Sequence, residues 1–438
     1  MTGSTHRSIL PPLSSEESAH SEAVTALIRG RIAEAGRDSD RIGRDDRGPA
    51  APEEGGARVG AGGVISFEEF MRLALYAPGL GYYSAGSVKI GAAGDFVTAP
   101  EVSDLFSQCV ANQCAEVLSE THGEILELGA GTGRMAAVIL EALNERGCLP
   151  ERYSILEVSA DLADRQRARI SKLPVAIRER VIWLDRLPSR PIQGVILANE
   201  VLDALPFRRV VVREGGSIAE LGVVDAGARG SEVALFAECD VEPADELQAA
   251  WESVVRDLPE ALPEGYRTEI CLAVDPWIAS VSECLERGVV LLFDYGFPRT
   301  HYYHPQREDG TLVCHFKQLA HSDPFVNVGV QDITAWVDFT RVAEGAVASR
   351  VDVLGFVTQA AFLLANGIEE LVAAAGAGRV GGVGGATVDT VERTKRAGEA
   401  RRLLLPGEMG ESFKVMALGH EYERPLKGFT LQDLRRSL

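Results

Sequence analysis

The chain has seven cysteines in 438 residues, and no two of them form a C-x-x-C pair. An odd, scattered set at positions 109, 114, 148, 239, 271, 284 and 314 implies neither a disulfide framework nor a zinc knuckle and fits a reducing compartment. Basic residues are also scarce: 44 Lys and Arg stand against 64 Asp and Glu, for a formal net charge of −20. Nucleic-acid binding draws its affinity from Lys and Arg, so this balance argues against a nucleic-acid partner. An acidic surface tolerates cationic substrates, although it more often serves solubility. No unbroken apolar run is long enough for a membrane-spanning helix, and mean hydropathy is +0.01. His301-x-x-His304, His315 and His321 lack the helical spacing and partner carboxylates of a metal site, so no metal is expected. Nor does an apolar export segment follow the start, and Glu16, Glu17, Asp45 and Asp46 interrupt the arginines that a transit peptide would need. The cytoplasm is the expected location, or the mitochondrial matrix if the host is eukaryotic.

What is present is a large apolar fraction, 46%, enough for one sizeable α/β core with additions. The most informative run is Glu124-Ile125-Leu126-Glu127-Leu128-Gly129-Ala130-Gly131-Thr132-Gly133. It reads as a buried parallel strand entering a turn whose glycines let backbone approach a nucleotide-like ligand, with a helix following from Met135 to Leu143. A dinucleotide fingerprint would need a small residue where Arg134 stands, so a nicotinamide or flavin site fits poorly.

Glu127-x-Gly129-x-Gly131-x-Gly133 instead resembles the first motif of class I S-adenosylmethionine-dependent methyltransferases. Alone, it leaves open another nucleotide ligand or a strand–turn–helix with no ligand. A second strand, Tyr153 to Val158, delivers Glu157, the acidic residue that in such folds holds the ribose hydroxyls; Glu157 would otherwise be a helix-capping carboxylate. A third strand, Val181 to Asp185, would end near the adenine, with Asp185 either a ligand contact or a loop charge. The fourth, Gly194 to Ala198, places Asn199 and Glu200 at its carboxyl end, where ligands of open α/β sheets collect.

Residues 1–63 read as a largely disordered segment with one apolar stretch, Ala23 to Ile32, able to form a short helix. Residues 64–120 read as a helical cap, opened by a capping box of Ser66 and Glu69, and residues 121–438 as the main domain with an insertion at 207–285. Within the insertion, Arg208 to Val212, Ile218 to Val224 and Val233 to Ala237 are expected as antiparallel strands joined at glycines 215–216 and 227–230. Val289 to Asp294, Val351 to Val357 and Phe413 to Leu418 complete seven strands, and 373–386 is a glycine-rich loop.

Six blocks carry a wider resemblance: Gly81-Tyr82-Tyr83, Gly94-Asp95-Phe96-Val97-Thr98-Ala99-Pro100-Glu101, Asn199-Glu200-Val201-Leu202-Asp203-Ala204-Leu205-Pro206, Asp294-Tyr295-Gly296, Gln331-Asp332-Ile333-Thr334-Ala335 with Val337-Asp338-Phe339, and Met409-Gly410-Glu411-Ser412-Phe413-Lys414-Val415. On these the chain resembles the MidA-type methyltransferases, which include mitochondrial complex I assembly factors that methylate arginine. The resemblance implies an α/β fold with a class I Rossmann-like seven-stranded sheet in the order 3-2-1-4-5-7-6, an N-terminal helical extension and an inserted β-rich subdomain. It further implies S-adenosyl-L-methionine as cofactor, held by Glu127, Gly129, Gly131, Gly133, Glu157, Asp185 and Asn199, and a protein substrate. Trp336 departs from the family pattern, which has His there; the substrate or rate would differ if that His serves the substrate site.

Arginine methylation needs carboxylates, because a protonated guanidinium is a poor nucleophile and must be held and relieved of a proton. Glu200 and Asp203, three apart beyond the fourth strand, fit that need as catalytic residues; their alternative is to cap a turn. Asp95 and Glu101 with Tyr82 or Tyr83 could form a lid over the cofactor, Asp338 is a remote candidate for the substrate groove, and Asp294 is either a site residue or a structural turn. A non-catalytic assembly protein and a small-molecule methyltransferase stay open as alternatives.

Overall fold

The computed structural model describes residues 10–45, 63–85, 97–227, 234–374 and 385–438. Gly94, Asp95, Phe96, most of the expected glycine-rich loop at 373–386 and most of the turn expected at 227–230 lie outside the described residues, as does 46–62. The chain divides into two compact units, one formed by Met1–Gly86, Leu205–Ala273 and Tyr303–Ala335, the other by Ser87–Ala204, Val274–Tyr302 and Trp336–Leu438.

The second unit is built on seven strands: β1 (Glu124–Leu128), β2 (Tyr153–Leu156), β3 (Val181–Leu184), β4 (Ile192–Asn199), β5 (Leu285–Phe297), β6 (Asp352–Thr358) and β7 (Phe413–His420). Their spatial order is 3-2-1-4-5-7-6, with β1 to β5 parallel and β7 antiparallel to both β5 and β6. A two-residue strand, Val337–Asp338, adds to the end of β5. The central strands read as near-continuous apolar runs because helices cover parallel sheets. Accordingly Ile125, Leu126, Val195, Ile196, Leu197, Val289, Val290 and Leu291 are all buried. Parallel neighbours require helical crossovers. Arg134–Glu145 links β1 to β2, burying Met135, Ile139, Leu140 and Leu143, and Ala160–Ile170 follows β2, started by Ser159, whose side chain accepts from Leu162 N. The helix Asp104–Thr121 begins on the side chain of Ser103, which accepts from Leu105 N at 3.2 Å, and ends at His122 in a left-handed conformation.

One register row crosses β1, β4, β5 and β7 at Glu124, Gly194, Gly288 and His420. Gly288 has φ +138°, and a Cβ there would lie 2.0 Å from the Gly194 carbonyl oxygen.

In the first unit, Ile218–Asp225 is flanked by Arg208–Val212, Ile65–Ser66 and Phe236–Val241, and Arg208–Val212 pairs in turn with Arg267–Ile270. The helix Phe67–Tyr76 is capped as its sequence implies, Ser66 Oγ accepting from Glu69 N at 3.1 Å. Its Phe67 stacks on Phe207 at 5.4 Å and its Phe70 meets Phe325 edge-on at 5.1 Å.

Several features differ from the linear reading. The N-terminal helix runs Ser15–Asp45, much longer than the short helix expected. Its start is a reciprocal cap, Glu17 N to Ser14 Oγ at 3.1 Å and Ser14 N to Glu17 Oε2 at 2.6 Å, and Val24, Ile28 and Ile32 are buried at intervals of four. Residues 63–85 belong to the first unit with the inserted strands, whereas 97–120 belong to the second. The strand expected at Val233 to Ala237 instead spans Phe236–Val241, and Arg267–Ile270 was not anticipated. A three-stranded sheet, with Val313–Phe316 between Leu319–His321 and Asp332–Thr334, was also not anticipated.

Gly288→Val is expected to destabilise the chain by about 2–5 kcal/mol, through strained φ and a clash with backbone. Chemical denaturation monitored by circular dichroism measures it; a loss below about 1 kcal/mol would show that β4 and β5 can separate without penalty.

Candidate functional site

The carboxyl ends of β1, β2, β4 and β5 bring most of the nominated residues together within the second unit. At the end of β1 the turn takes left-handed conformations at Gly129, Gly131 and Gly133, with φ of 67°, 54° and 75°. Side chains are disfavoured at such φ, which is why the turn is written in glycine. Its anchor is Gln166, a residue absent from the sequence-based candidates. Gln166 is fully buried. Its amide nitrogen donates to Gly131 O and to Glu157 Oε2, both at 2.9 Å, and its Oε1 accepts from Trp183 Nε1 at 3.0 Å. One side chain thereby joins the ends of β1 and β2 to β3. The signal was present in the helix itself: Leu162, Gln166 and Ile170 recur every four residues and are all buried, so a polar residue sits on an apolar face.

From its other side the turn is held by Glu101, which accepts from the Thr132 hydroxyl. Arg134 donates to Glu101 O at 2.8 Å and to Asp104 Oδ1 at 2.9 Å. The arginine that spoils a dinucleotide fingerprint therefore docks the segment preceding the helix Asp104–Thr121.

Glu157 ends β2 with Oε1 accepting from Ser159 N at 2.9 Å, while Ser159 itself caps the following helix. Glu127 is placed differently from the expectation of a cofactor contact. It is 1% exposed and accepts from the Tyr153 hydroxyl at 2.8 Å, an interior bond between β1 and β2. Burial pushes its carboxyl up to about 7. Asp185 is not brought into the site: its side chain is 93% exposed, and its partner is the neighbouring Arg186 at 4.0 Å. The polar strand end simply turns outward to water.

Asn199 and Glu200 leave β4 through a backbone that is itself unusual, with Glu200 at φ +52°. A left-handed glutamate is costly and is retained where the surroundings fix it. Here Glu200 N donates to Phe293 O at 2.8 Å, and Glu200 Oε1 accepts from Asn199 Nδ2 at 3.1 Å. Asn199 Oδ1 is buried without a hydrogen-bond partner among the described residues. Asp203 and Asp294 are both buried. Asp294 Oδ2 accepts from Leu202 N at 3.0 Å and Asp203 N at 3.2 Å, so this aspartate near the carboxyl end of β5 holds the turn and adjoins the site at once. Burial pushes the Asp203 carboxyl up to about 6. Burial, reinforced by the charges of Asp203 and Glu200, pushes Asp294 well above the usual carboxylate range.

Asp338 caps the helix Phe339–Ala348, accepting from Thr340 N at 3.0 Å, and pairs with the buried Arg299 at 3.3 Å. Trp336 packs on Phe297 at 4.9 Å. Of the aromatic lid candidates, Tyr82 is buried in the first unit and Tyr83 donates to Asp332 at 2.8 Å in that same unit.

The donor set suits a ligand rich in N–H and O–H groups. Orphaned Asn199 Oδ1, the Glu157 carboxylate and a turn of exposed backbone are what a nucleoside with an amino-acid tail would require.

Residues 109–357 match the family model described as "Putative S-adenosyl-L-methionine-dependent methyltransferase". A candidate methyl transferase from Burkholderia thailandensis, solved with S-adenosyl-homocysteine bound, is 37% identical, covers 98% of this chain and 100% of its own, and superposes with a TM-score of 0.83. A native structure from the same organism is 36% identical over the same shares of the two chains, with a TM-score of 0.80. The mitochondrial protein arginine methyltransferase NDUFAF7 homolog of Drosophila melanogaster is 28% identical over 408 residues, 85% of this chain and 87% of its own length. The human mitochondrial protein arginine methyltransferase NDUFAF7 is 25% identical over 354 residues, 71% and 72% of the two chains.

Gln166→Leu keeps the volume but strands three polar partners, and is expected to weaken binding of S-adenosyl-homocysteine at least about tenfold by calorimetry. Unchanged affinity would reduce Gln166 to packing. For Asp203, the ordinary value near about 4 is raised on folding, so its contribution to stability is present below about pH 4 and lost as pH rises through about 6. Asp203→Asn is therefore expected to raise the thermal midpoint at pH 8, with the gain closing towards pH 4; a midpoint lowered throughout would mean that the carboxylate's hydrogen bonds outweigh its burial.

Proposed function

We propose, from the premise that this chain belongs to the MidA-type family of S-adenosyl-L-methionine-dependent methyltransferases, that it methylates a guanidinium nitrogen of arginine in a protein substrate. Its cofactor is S-adenosyl-L-methionine. The observation that carries the substrate half is the cluster of Glu200 and Asp203, just beyond β4, with Asp294 near the carboxyl end of β5. The relatives named as protein arginine methyltransferases support the same reading.

Gly129, Gly131 and Gly133 would admit the amino-acid part of the cofactor close to backbone, Glu157 would accept from its ribose hydroxyls, and Asn199 would offer Oδ1 as an acceptor. Glu127 supports this framework from the interior, and Asp185 is left out of it. When bound, the cofactor would supply an electrophilic methyl on a sulfonium, open to in-line attack by the acceptor nitrogen with the C–S bond breaking and S-adenosyl-homocysteine as the leaving group. Glu200 and Asp203 supply what that nitrogen lacks. Their carboxylates accept the guanidinium N–H groups, orient the planar cation, and take the proton that must leave as the new N–C bond forms. Asp203, pushed up to about 6 by burial, is a stronger base than an ordinary aspartate.

A respiratory complex I subunit, or its homologue, is the first protein to screen, and the cytoplasm, or the matrix of a mitochondrion, is where it would be met. Calorimetric titration with S-adenosyl-L-methionine is expected to give micromolar-range binding, lost in Gly131→Val and Glu157→Ala. Labelled-methyl transfer to an extract is then expected to mark a protein band at arginine, with at least about a hundredfold loss in Glu200→Gln and Asp203→Asn. Label recovered only in a protein-free fraction would point to a small-molecule acceptor. Binding without transfer, and a biological role that survives Glu200→Gln, would point to an assembly protein that keeps the fold.

A further inference from the structure

The turn carrying Glu200 and Asp203 is gripped by two consecutive residues of β5. Adjacent residues of a strand project to opposite faces, and β5 uses both. Asp294 holds the main chain, accepting from the amides of Leu202 and Asp203. Tyr295 holds the side chain, its hydroxyl donating to the Asp203 carboxylate. The Tyr295 ring is in turn fixed by β7: Phe413 stands directly opposite it in the register, with the two rings 5.4 Å apart and edge-on at 64°. Asp203 is 6% exposed, and its Oδ1 is buried without a hydrogen-bond partner among the described residues.

A carboxylate with donors on one side and an unsatisfied oxygen on the other has one direction left in which to accept. A buried acceptor without a partner carries a standing penalty, which a donor from a ligand would remove. We propose that Tyr295 is the positioning residue of the methyl-transfer site, holding the Asp203 carboxylate so that Oδ1 is presented to a guanidinium N–H of the substrate. This rests on reading Glu200 and Asp203 as the substrate carboxylates. The ionisable groups gathered here are Glu200, Asp203, Asp294 and Tyr295. Burial opposes the charge on Asp203, and the charges of Asp203 and Glu200 oppose that on Asp294; the Tyr295 hydroxyl is the side-chain donor that favours the ionised form of Asp203.

Tyr295→Phe removes the hydroxyl and leaves a ring to pack on Phe413. The readout is the titration of Asp203 followed by nuclear magnetic resonance of 13C-labelled aspartate carboxyls, with Asp203→Asn assigning the signal. Loss of a donor to the ionised form is expected to move the midpoint to higher pH by about one unit. Replacement of Tyr295 by 3-fluorotyrosine, a stronger donor of nearly the same shape, is expected to move it down, and keeps the test open should Tyr295→Phe fold poorly. With the methyl-accepting protein in hand, Tyr295→Phe is expected to lower kcat about tenfold with KM little changed, and the acidic limb of its pH profile should follow the titration. A folded Tyr295 variant whose Asp203 titrates as in the parent overturns the proposal, because a residue that only packs would lower the thermal midpoint and leave the titration alone. Titration that shifts as expected in a chain that never methylates arginine would instead sustain the grip on Asp203 and sink the arginine reading.

Discussion

The site depends on one amide. Gln166 binds the carbonyl of Gly131, the carboxylate of Glu157 and the indole of Trp183 at once, and each of those groups belongs to a different strand end. Strands set the spacing of a parallel sheet, but the loops beyond their ends are free to wander unless something crosses between them. A neutral amide is suited to this, since it can donate and accept without bringing a charge into the interior. The glycine turn needs it most, because glycines give the turn its shape without giving it rigidity.

A second pattern unites the carboxylates. Glu127, Asp203 and Asp294 are all buried and all raised above ordinary carboxylates, yet their surroundings differ. Glu127 is satisfied by the Tyr153 hydroxyl and faces inward, where it stiffens the join between β1 and β2. Asp294 spends Oδ2 on two amides of a turn and Oδ1 on the amide of Tyr295. Among the described residues Asp203 keeps a buried oxygen with no hydrogen bond, and Asn199, at the end of β4, does likewise. Unsatisfied acceptors side by side with a left-handed Glu200 mark the place where the chain has been shaped for something other than its own stability.

What could be read from the sequence was local. Apolar runs announced the seven strands, the glycines announced their turn, and Ser66 with Glu69 announced a helix start, because each signal lies within a few residues. Gln166 was not legible in the same way: its partners lie 35, 9 and 17 residues away, and a glutamine among arginines looks like surface until its spacing from Leu162 and Ile170 is weighed. The bond from Tyr295 to Asp203 joins residues from β5 and from the turn after β4, which the chain separates by the whole insertion. Asp185 was overvalued because a strand end places a residue near a ligand without deciding where its side chain goes. The long first helix was undervalued because Glu17 was counted as a charge and not as the partner of Ser14. The three-stranded sheet has strands of three or four residues, too short for periodicity to register.

The position of β7 bears on how this protein is made. Among the described residues β6 pairs only with β7, and β7 follows both β5 and β6 in the chain yet lies between them. While the ribosome is still short of Phe413, β5 therefore presents an open edge and β6 has nothing to pair with. Such edges invite pairing with another nascent chain. The sheet closes only when β7 slides between two strands already emerged, so a product truncated before Phe413 would be a substrate for chaperones and proteases.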